Sequence, residues 1–478
     1  MEALRLSWLA IVMAVVVVNL DNAATRHVGV ERRGVRGGGR AGRCSDWHKH
    51  RPDDGNRKKG GSSGSGGSGG VAGAGEPWYM ADDSNEEEVK LERDRKFRET
   101  ARSSAKQAPL VCFLRGDGFT QPGAMRFPLS TIPKNKCTHI VYSYLETDNK
   151  TGGLLFRKKG LHEEKALLRK LASMKDKSRQ LKVLYSYGGG AHWSSLLNRL
   201  RSDKDMEKLI KELDMLLREM RLDGINFHLE GPGRSSCSKN DADRVLQFIR
   251  KFRLEVADND VLLTMQLPAC RDSKCDHVQK SELARYIDYF FLMTFDYKLD
   301  DLSKTRITSG VLQYENGRRT HIDTEGCVYH WTRAGLQKNQ IIPGIPTYGR
   351  SYTLDNQNKH GLDESLKKSH PLGYGANFTK VDGYMNYIET CRRVVYFHWP
   401  RQWVNFAATP YIHYQDQWIS YEDRDSVKYK IEWMRKNKLG GIFLWSLEAD
   451  DYAGSCQQGI RYPLVEAAQR ALEGYRPS

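Results

Sequence analysis

Short apolar runs alternate with longer amphipathic stretches over most of the chain, beginning near Gln107. The runs that read as strands are Val111–Leu114, His139–Tyr144, Lys182–Tyr187, Gly224–His228, Val261–Met265, Tyr289–Met293, Gln340–Gly344 and Gly440–Trp445. Between most of them lies a helical stretch. Asp205–Met220, for example, repeats Leu209, Leu213, Leu216 and Leu217 at helical spacing. Strand–helix alternation implies a parallel sheet, and eight such repeats favour closure into a barrel. The expected fold is α/β, a (β/α)₈ TIM barrel over residues 108–476. The longest gap, from Ser351 to about Asp423, mixes aromatic and polar residues. It predicts a small α+β subdomain, residues 351–423, inserted after the seventh strand.

The first hundred residues are of another kind. Arg5 precedes the apolar run Leu6–Val18, and small residues follow at Asn22-Ala23-Ala24. That is the pattern of a secretory signal peptide over residues 1–24. The run falls short of the ~20 residues a membrane span needs, although a retained signal anchor is the alternative. No later segment is long and apolar enough to span, so no membrane span is expected after signal cleavage. Residues 25–107 read as a disordered basic tail and linker. Positions 26–59 are rich in Arg and Gly, and Gly60–Gly75 is almost pure Gly and Ser. Neither stretch can offset its ordering entropy by burying apolar surface. Asn85–Lys106 is highly charged without an apolar stripe, a solvated helix at most.

Charge and cysteine narrow the partners. Of the net +16, the region from Gln107 onward holds 56 basic and 44 acidic side chains. Such a surface can attract an acidic glycan or an acidic extracellular surface, though solubility alone accounts for it equally well. No nucleic-acid motif is present, so that partner class is not expected. The nine cysteines, in a chain with an export signal, read as disulfides rather than metal ligands. Cys270 and Cys275 are the only close pair, at no zinc-knuckle spacing, and neither a metal nor a cofactor is expected. The odd total leaves at least one thiol over, with Cys44 the candidate. Sequons at Asn149 and Asn377 suit an extracellular glycoprotein.

Reactive side chains of such barrels sit at the C-terminal ends of strands. The fourth strand ends Asp223-Gly224-Ile225-Asn226-Phe227-His228-Leu229-Glu230. Alternation puts Asn226, His228 and Glu230 on one face, successive Cα atoms roughly 7 Å apart, with Glu230 projecting into the mouth. An ordinary surface ion pair is the competing reading of that carboxylate.

Several ordered motifs share one resemblance. They are Lys136-Cys137-Thr138-His139, Ser186-Tyr187-Gly188-Gly189, Leu222-Asp223-Gly224 leading to Glu230, Met293-Thr294-Phe295-Asp296, Gly344 through Ser351, Asp416-Gln417-Trp418-Ile419, and Gly441 through Trp445 to Asp450-Asp451-Tyr452. From about Pro109 to Glu473 the chain resembles glycoside hydrolase family 18, the group of chitinases, chitinase-like lectins and imaginal disc growth factors. The resemblance implies disulfides Cys112–Cys137 and Cys391–Cys456.

It also implies a chemistry and its loss. Family 18 departs from the usual two-carboxylate scheme: a Glu protonates the leaving oxygen and the sugar's own acetamido oxygen attacks. An Asp two residues earlier holds the resulting cation, and a Tyr hydroxyl donates to the acetamido group. Here Glu230 stands at the proton-donor position, but the Asp is His228, the Asp before it is Asn226, and the Tyr is Phe295. A neutral imidazole supplies no negative charge. A protonated one repels the cation and favours ionised Glu230, the wrong form for an acid.

Trp445 matches the Trp that floors the central subsite, and Asp296, Tyr348, Arg350 and Trp418 match other groups of the family's glycan cleft. Two stacking tryptophans are missing: Asp117 stands for one and Gly190 for the other, although Trp193 is near. The expectation is a secreted, catalytically inactive chitinase-like protein that binds a chitin-like oligosaccharide or another glycan. The alternatives are a weakly active endo-chitinase of β-1,4-N-acetylglucosamine polymers using Glu230, and a protein-interaction or growth-factor-like scaffold.

Overall fold

The computed structural model describes residues 83–105, 107–119, 126–148, 153–156, 161–175, 181–189, 193–228, 238–257, 259–268, 279–456 and 459–477. The signal segment, most of the tail, Cys44, Cys237, Cys270, Cys275, Asn149, Gly190 and Glu230 lie outside the described residues.

Seven parallel strands follow in order: β1 (Leu110–Arg115), β2 (His139–Thr147), β3 (Lys182–Gly188), β4 (Gly224–His228), β5 (Leu262–Pro268), β6 (Tyr289–Met293) and β7 (Ile341–Pro346). Five antiparallel strands come next: β8 (Tyr348–Thr353), β9 (Tyr384–Asn386), β10 (Arg401–Val404), β11 (Thr409–Tyr414) and β12 (Gln417–Ser420). The last strand, β13 (Ile442–Trp445), pairs in parallel with both β7 and β1, and β1 pairs with β2. The ring is closed, a (β/α)₈ barrel. The last strand starts two residues later than its apolar run. A Cβ on Gly440 would stand 2.3 Å from the Asn339 carbonyl oxygen, and one on Gly441 2.4 Å from that of Pro109. The two glycines let the chain pass its neighbours before pairing starts.

Aromatic and branched side chains fill the barrel, among them Val111, Phe113, Val141, Leu184, Phe291 and Phe443. Outside it, the helix Asp203–Met220 shows how the periodicity works. We number the helices α1 (Asp83–Ser103), α2 (Leu161–Ser173), α3 (Trp193–Leu200), α4 (Asp203–Met220), α5 (Lys239–Val256), α6 (Lys280–Tyr286), α7 (Thr324–Arg333), α8 (Tyr387–Val395), α9 (Arg424–Lys436) and α10 (Pro463–Leu472). In α4 the Ser202 side chain accepts from the Asp205 N–H, and Arg221 ends the helix in the left-handed region. Leu209, Leu213, Leu216 and Leu217 are all buried against the barrel, each contributing roughly 1.5–3 kcal/mol.

The segment after β7 folds as a five-stranded antiparallel sheet in the order β9-β8-β12-β11-β10, with α8 between β9 and β10. Cys112 is bonded to Cys137, which ties β1 to the segment leading into β2, and Cys391 of α8 is bonded to Cys456. Cys327 is also disulfide-bonded, with its partner outside the described residues.

One segment departs from expectation. Asn85–Lys106 reads as linker, a solvated helix at most, whereas Asp83–Ser103 forms a helix docked on the barrel. It lacks an apolar stripe because what it buries is charge: beside Leu91, the residues Asp94 and Arg98 are buried. Arg98 donates to Asp94 at 2.7 Å, to Asp288 at 3.2 Å and to the Arg285 carbonyl at 2.7 Å. Arg253 donates to the other Asp288 oxygen at 2.7 Å, and Arg102 lies 3.6 Å away from Asp288. Nearer solvent, Glu88 pairs with Arg285 and Glu87 with Arg250. Burial opposes ionisation of Asp288, but Arg253, Arg98, the Leu263 N–H and Arg102 outweigh it and hold the carboxyl below its ordinary range.

Asp288→Asn removes the charge that three guanidiniums share. It should cost about 3–5 kcal/mol, read as a lower urea midpoint at unchanged slope. Because the folded-state pKa is depressed, the parent's advantage should be complete at neutral pH and shrink only as pH falls below about 4.

Candidate functional site

The parallel strands deliver their C-terminal ends to one mouth. On β4, Asn226 is wholly buried and its amide is fully engaged. Its Nδ2 donates to Ser186 Oγ at 2.8 Å and Gln266 Oε1 at 3.4 Å, while Thr264 donates to its Oδ1 at 3.1 Å. A neutral amide fits this enclosed polar layer without the cost of a buried charge. Two residues on, His228 is buried with its ring 5.3 Å from that of Tyr144. The Gly188-Gly189 turn, with φ of 92° and 87°, makes room for it: a Cβ on Gly189 would be 2.6 Å from the imidazole Nδ1. Glu230 is not among the described residues.

After β6, Phe295 is buried edge-on to Tyr348 at 6.3 Å and Phe443 at 6.0 Å. Asp296 follows in the left-handed region and accepts from the Tyr348 hydroxyl at 2.7 Å, from Arg350 Nε at 2.8 Å and from Arg350 Nη2 at 2.5 Å. The Arg350 guanidinium also lies over the rings of Tyr348 at 5.0 Å and Tyr384 at 5.5 Å. Burial and the nearby Asp296 charge push the Tyr348 hydroxyl well above its ordinary pKa, so it remains a donor.

Trp445 ends β13 part-exposed, 4.9 Å from Phe113 and 6.0 Å from Tyr144. Phe113, Trp445, Tyr144 and His228 thus form a continuous run of rings. The peptide bonds Ser143–Tyr144 and Trp445–Ser446 are cis. Beside this run, Arg115 forks onto Asp117 and lies 3.6 Å from Glu448, which also accepts from the Arg115 N–H at 3.3 Å. Burial raises the Glu448 carboxyl to about 7, against the opposing pull of Arg115 and the Ser446 hydroxyl.

Of the residues expected at the site, His228 and Trp445 end barrel strands and share the run of rings, Asp296 follows β6 and meets Tyr348 and Arg350 of β8, Phe295 packs edge-on to Tyr348, and Asn226 lies one layer beneath, wholly buried. Trp418 is a correction. Its side chain is fully buried, stacked 4.7 Å from Tyr411, and its Nε1 donates to the His360 carbonyl at 3.1 Å. Alternation along β12 turns it into the inserted subdomain's own core, where no sugar can reach it. Tyr144, Tyr384 and Glu448 were missed, although Glu448 lies three residues beyond Trp445 in the same motif. Among the described residues no cluster of three His, Cys, Asp or Glu could hold a metal, and no helix is long and apolar enough to cross a membrane.

Residues 109–450 match the sequence profile of glycosyl hydrolases family 18. The chain belongs to that family. Similar family 18 proteins include the endochitinase of Manduca sexta, 25% identical over 79% of this chain and 69% of its own length, and chitotriosidase-1 of Mus musculus, 28% identical over 76% and 78%. Human chitinase-3-like protein 2 is 26% identical over 76% of this chain and 92% of its own. Among solved structures, the Ostrinia furnacalis group IV chitinase superposes with a TM-score of 0.70 at 24% identity, covering 76% of this chain and 99% of that one. Human YKL-39, described as a pseudo-chitinase with retained chitooligosaccharide binding properties, gives 0.68 at 23% identity, covering 76% and 99%. These two establish the family 18 barrel shape.

The Glu448 carboxyl generates a pH prediction. Its folded-state pKa is raised, so its contribution to stability is complete below the ordinary Glu value of ~4.3 and lost as pH rises through about 7. Relative to Glu448→Gln, the parent should lose stability across that window in thermal melts. Parallel curves for the two proteins would show that Glu448 titrates normally.

Proposed function

We propose that this chain is a secreted chitinase-like protein that holds a chitin-like oligosaccharide at the barrel mouth without hydrolysing it. One observation carries the reading: an imidazole, His228, stands on β4 where the family resemblance calls for the carboxylate that steadies the cationic intermediate. The surroundings offer no substitute among the described side chains at the mouth. Asp296 is already claimed by a guanidinium fork and a hydroxyl, and Glu448 by Arg115 and Ser446. Phe295 lies buried among rings and has no hydroxyl to give. Glu230 is left as a proton donor with nothing to stabilise what its proton would release.

Retained binding is supported by the part-exposed Trp445, whose ring offers a face for a pyranose, and by the relative described as a pseudo-chitinase that still binds chitooligosaccharides. The ion cluster of Arg115, Asp117 and Glu448 stands where the resemblance expects a stacking Trp, which favours a short ligand. Disulfides Cys112–Cys137 and Cys391–Cys456, the signal-like residues 1–24 and the exposed sequon at Asn377 support an extracellular, glycosylated protein.

The purified chain should be retained on chitin beads yet release no new reducing ends from chitin oligomers. Trp445→Ala should weaken retention by at least about tenfold, given roughly 2 kcal/mol for burying such a side chain. Turnover by the parent that vanishes in Glu230→Gln would instead establish a slow chitinase.

The double variant His228→Asp with Phe295→Tyr should gain hydrolysis by about 10² or more, since one such stabilising group is worth 10²–10³ in rate. The readout is reducing-end release from a chitin oligomer. No gain would move the cause of inactivity to the lost stacking platform.

A further inference from the structure

A second concavity, of about 480 Å³, opens on the inserted subdomain and is lined by Phe378, Glu389, Arg392, Arg393, Trp399 and Tyr414, among others. Its walls combine guanidinium groups with aromatic rings. Trp399 and Tyr414 stack at 5.4 Å, Arg393 lies over Trp399 at 5.3 Å, and Arg392 lies 6.0 Å from the Phe378 ring.

The two arginines are short of counter-charge. Among the described residues neither forms an ion pair, and Arg393 Nε is buried without a hydrogen-bond partner. Glu389, the acid in the wall, spends its carboxylate on the N–H groups of Phe378 at 2.7 Å, Thr379 at 3.2 Å and Asn386 at 3.3 Å. Arg393 reaches only the Glu389 backbone carbonyl, at 3.0 Å. Burial lowers the Arg393 pKa against the pull of Glu389. A part-buried guanidinium with an unsatisfied Nε and no counter-charge is costly, and a bound anion would relieve that cost. Tyr414 and Phe397, which also lines the pocket, are both exposed. Their rings suit the C–H-rich face of a sugar. The volume lies within the range of small-ligand sites.

We propose that this pocket is a second glycan site, separate from the barrel mouth, that takes a pyranose bearing a carboxylate or sulfate. Arg392 and Arg393 hold the acidic group, and Tyr414 and Phe397 hold the ring. The excess of basic side chains from Gln107 onward brings such a ligand in. Asn377, which starts a sequon, stands at the rim. The acidic sugar can therefore come from a separate glycan or from one attached to this chain.

The test is calorimetric titration of the full chain with a heparin-derived tetrasaccharide at physiological salt, with chitotetraose as the neutral comparison. The parent should bind the acidic probe, and excess chitotetraose should leave that binding unchanged. Arg392→Gln with Arg393→Gln should weaken it about tenfold, as expected for one lost charge-assisted contact. Tyr414→Ala, which removes an exposed ring and spares the fold, should weaken it about fivefold, whereas Arg333→Gln on α7 should stay within about twofold. In Asn377→Gln the affinity should persist when the pocket takes free ligand, or rise when the chain's own acidic glycan had occupied it. Four results overturn the proposal: no binding by the parent, an unaltered Tyr414→Ala, competition by chitotetraose, or loss of binding in Asn377→Gln.

Discussion

Every candidate site residue described at the mouth owes its position to the pairing of β1 with both β2 and β13. That double pairing closes the sheet, with Cys112 on β1 locked to Cys137. Parallel closure leaves no free edge and points all eight C-terminal strand ends the same way. Residues separated by more than two hundred positions, such as His228 on β4 and Trp445 on β13, come to share one run of rings through Tyr144. The inserted sheet adds to this rim because β8 follows β7 after a single residue, which carries Tyr348 and Arg350 across to Asp296.

What could be seen in the sequence follows from what hydrophobic periodicity measures. The eight strands and the leucine stripe of α4 were legible because they bury hydrocarbon, and the barrel followed from their number and order. Asp83–Ser103 was illegible for the same reason: it docks through Asp94, Arg98 and a carboxylate nearly two hundred residues away, so its partners appear in no local pattern. Trp418 erred in the other direction. A motif match placed it in the cleft, but which side of β12 it faces is decided by pairing with β8 and β11. Glu448 was overlooked because its meaning depends on Arg115, which is distant in sequence and close in space.

The three positions that the family resemblance marks as substituted, Asn226, His228 and Phe295, hold no carboxylate among them. Asn226 completes a neutral hydrogen-bonded layer with Ser186, Thr264 and Gln266. His228 and Phe295 extend aromatic packing at the places where the family resemblance expects an acid and a phenol. An acid restored at one position alone would enter a neighbourhood shaped for neutral groups, with its desolvation cost uncompensated. Under the proposed reading, the effects of these positions on rate need not add.

The two ends of the barrel treat charge differently. Asp288 precedes β6 and Arg253 reaches the carbonyl before β5, so the ion network anchored by α1 lies at the N-terminal ends of the strands. There both Asp288 oxygens meet guanidinium groups, and the arrangement serves stability. At the mouth, burial raises the Glu448 carboxyl to about 7, while Asp296 accepts from both nitrogens of the Arg350 fork. Among the described residues, the mouth thus presents ring faces and carboxylates already engaged by arginine or hydroxyl groups. Such a surface can orient a sugar through stacking and hydrogen bonds. Under the proposed reading, the described side chains would leave a positive charge developing on the sugar without support, and that would separate binding from hydrolysis.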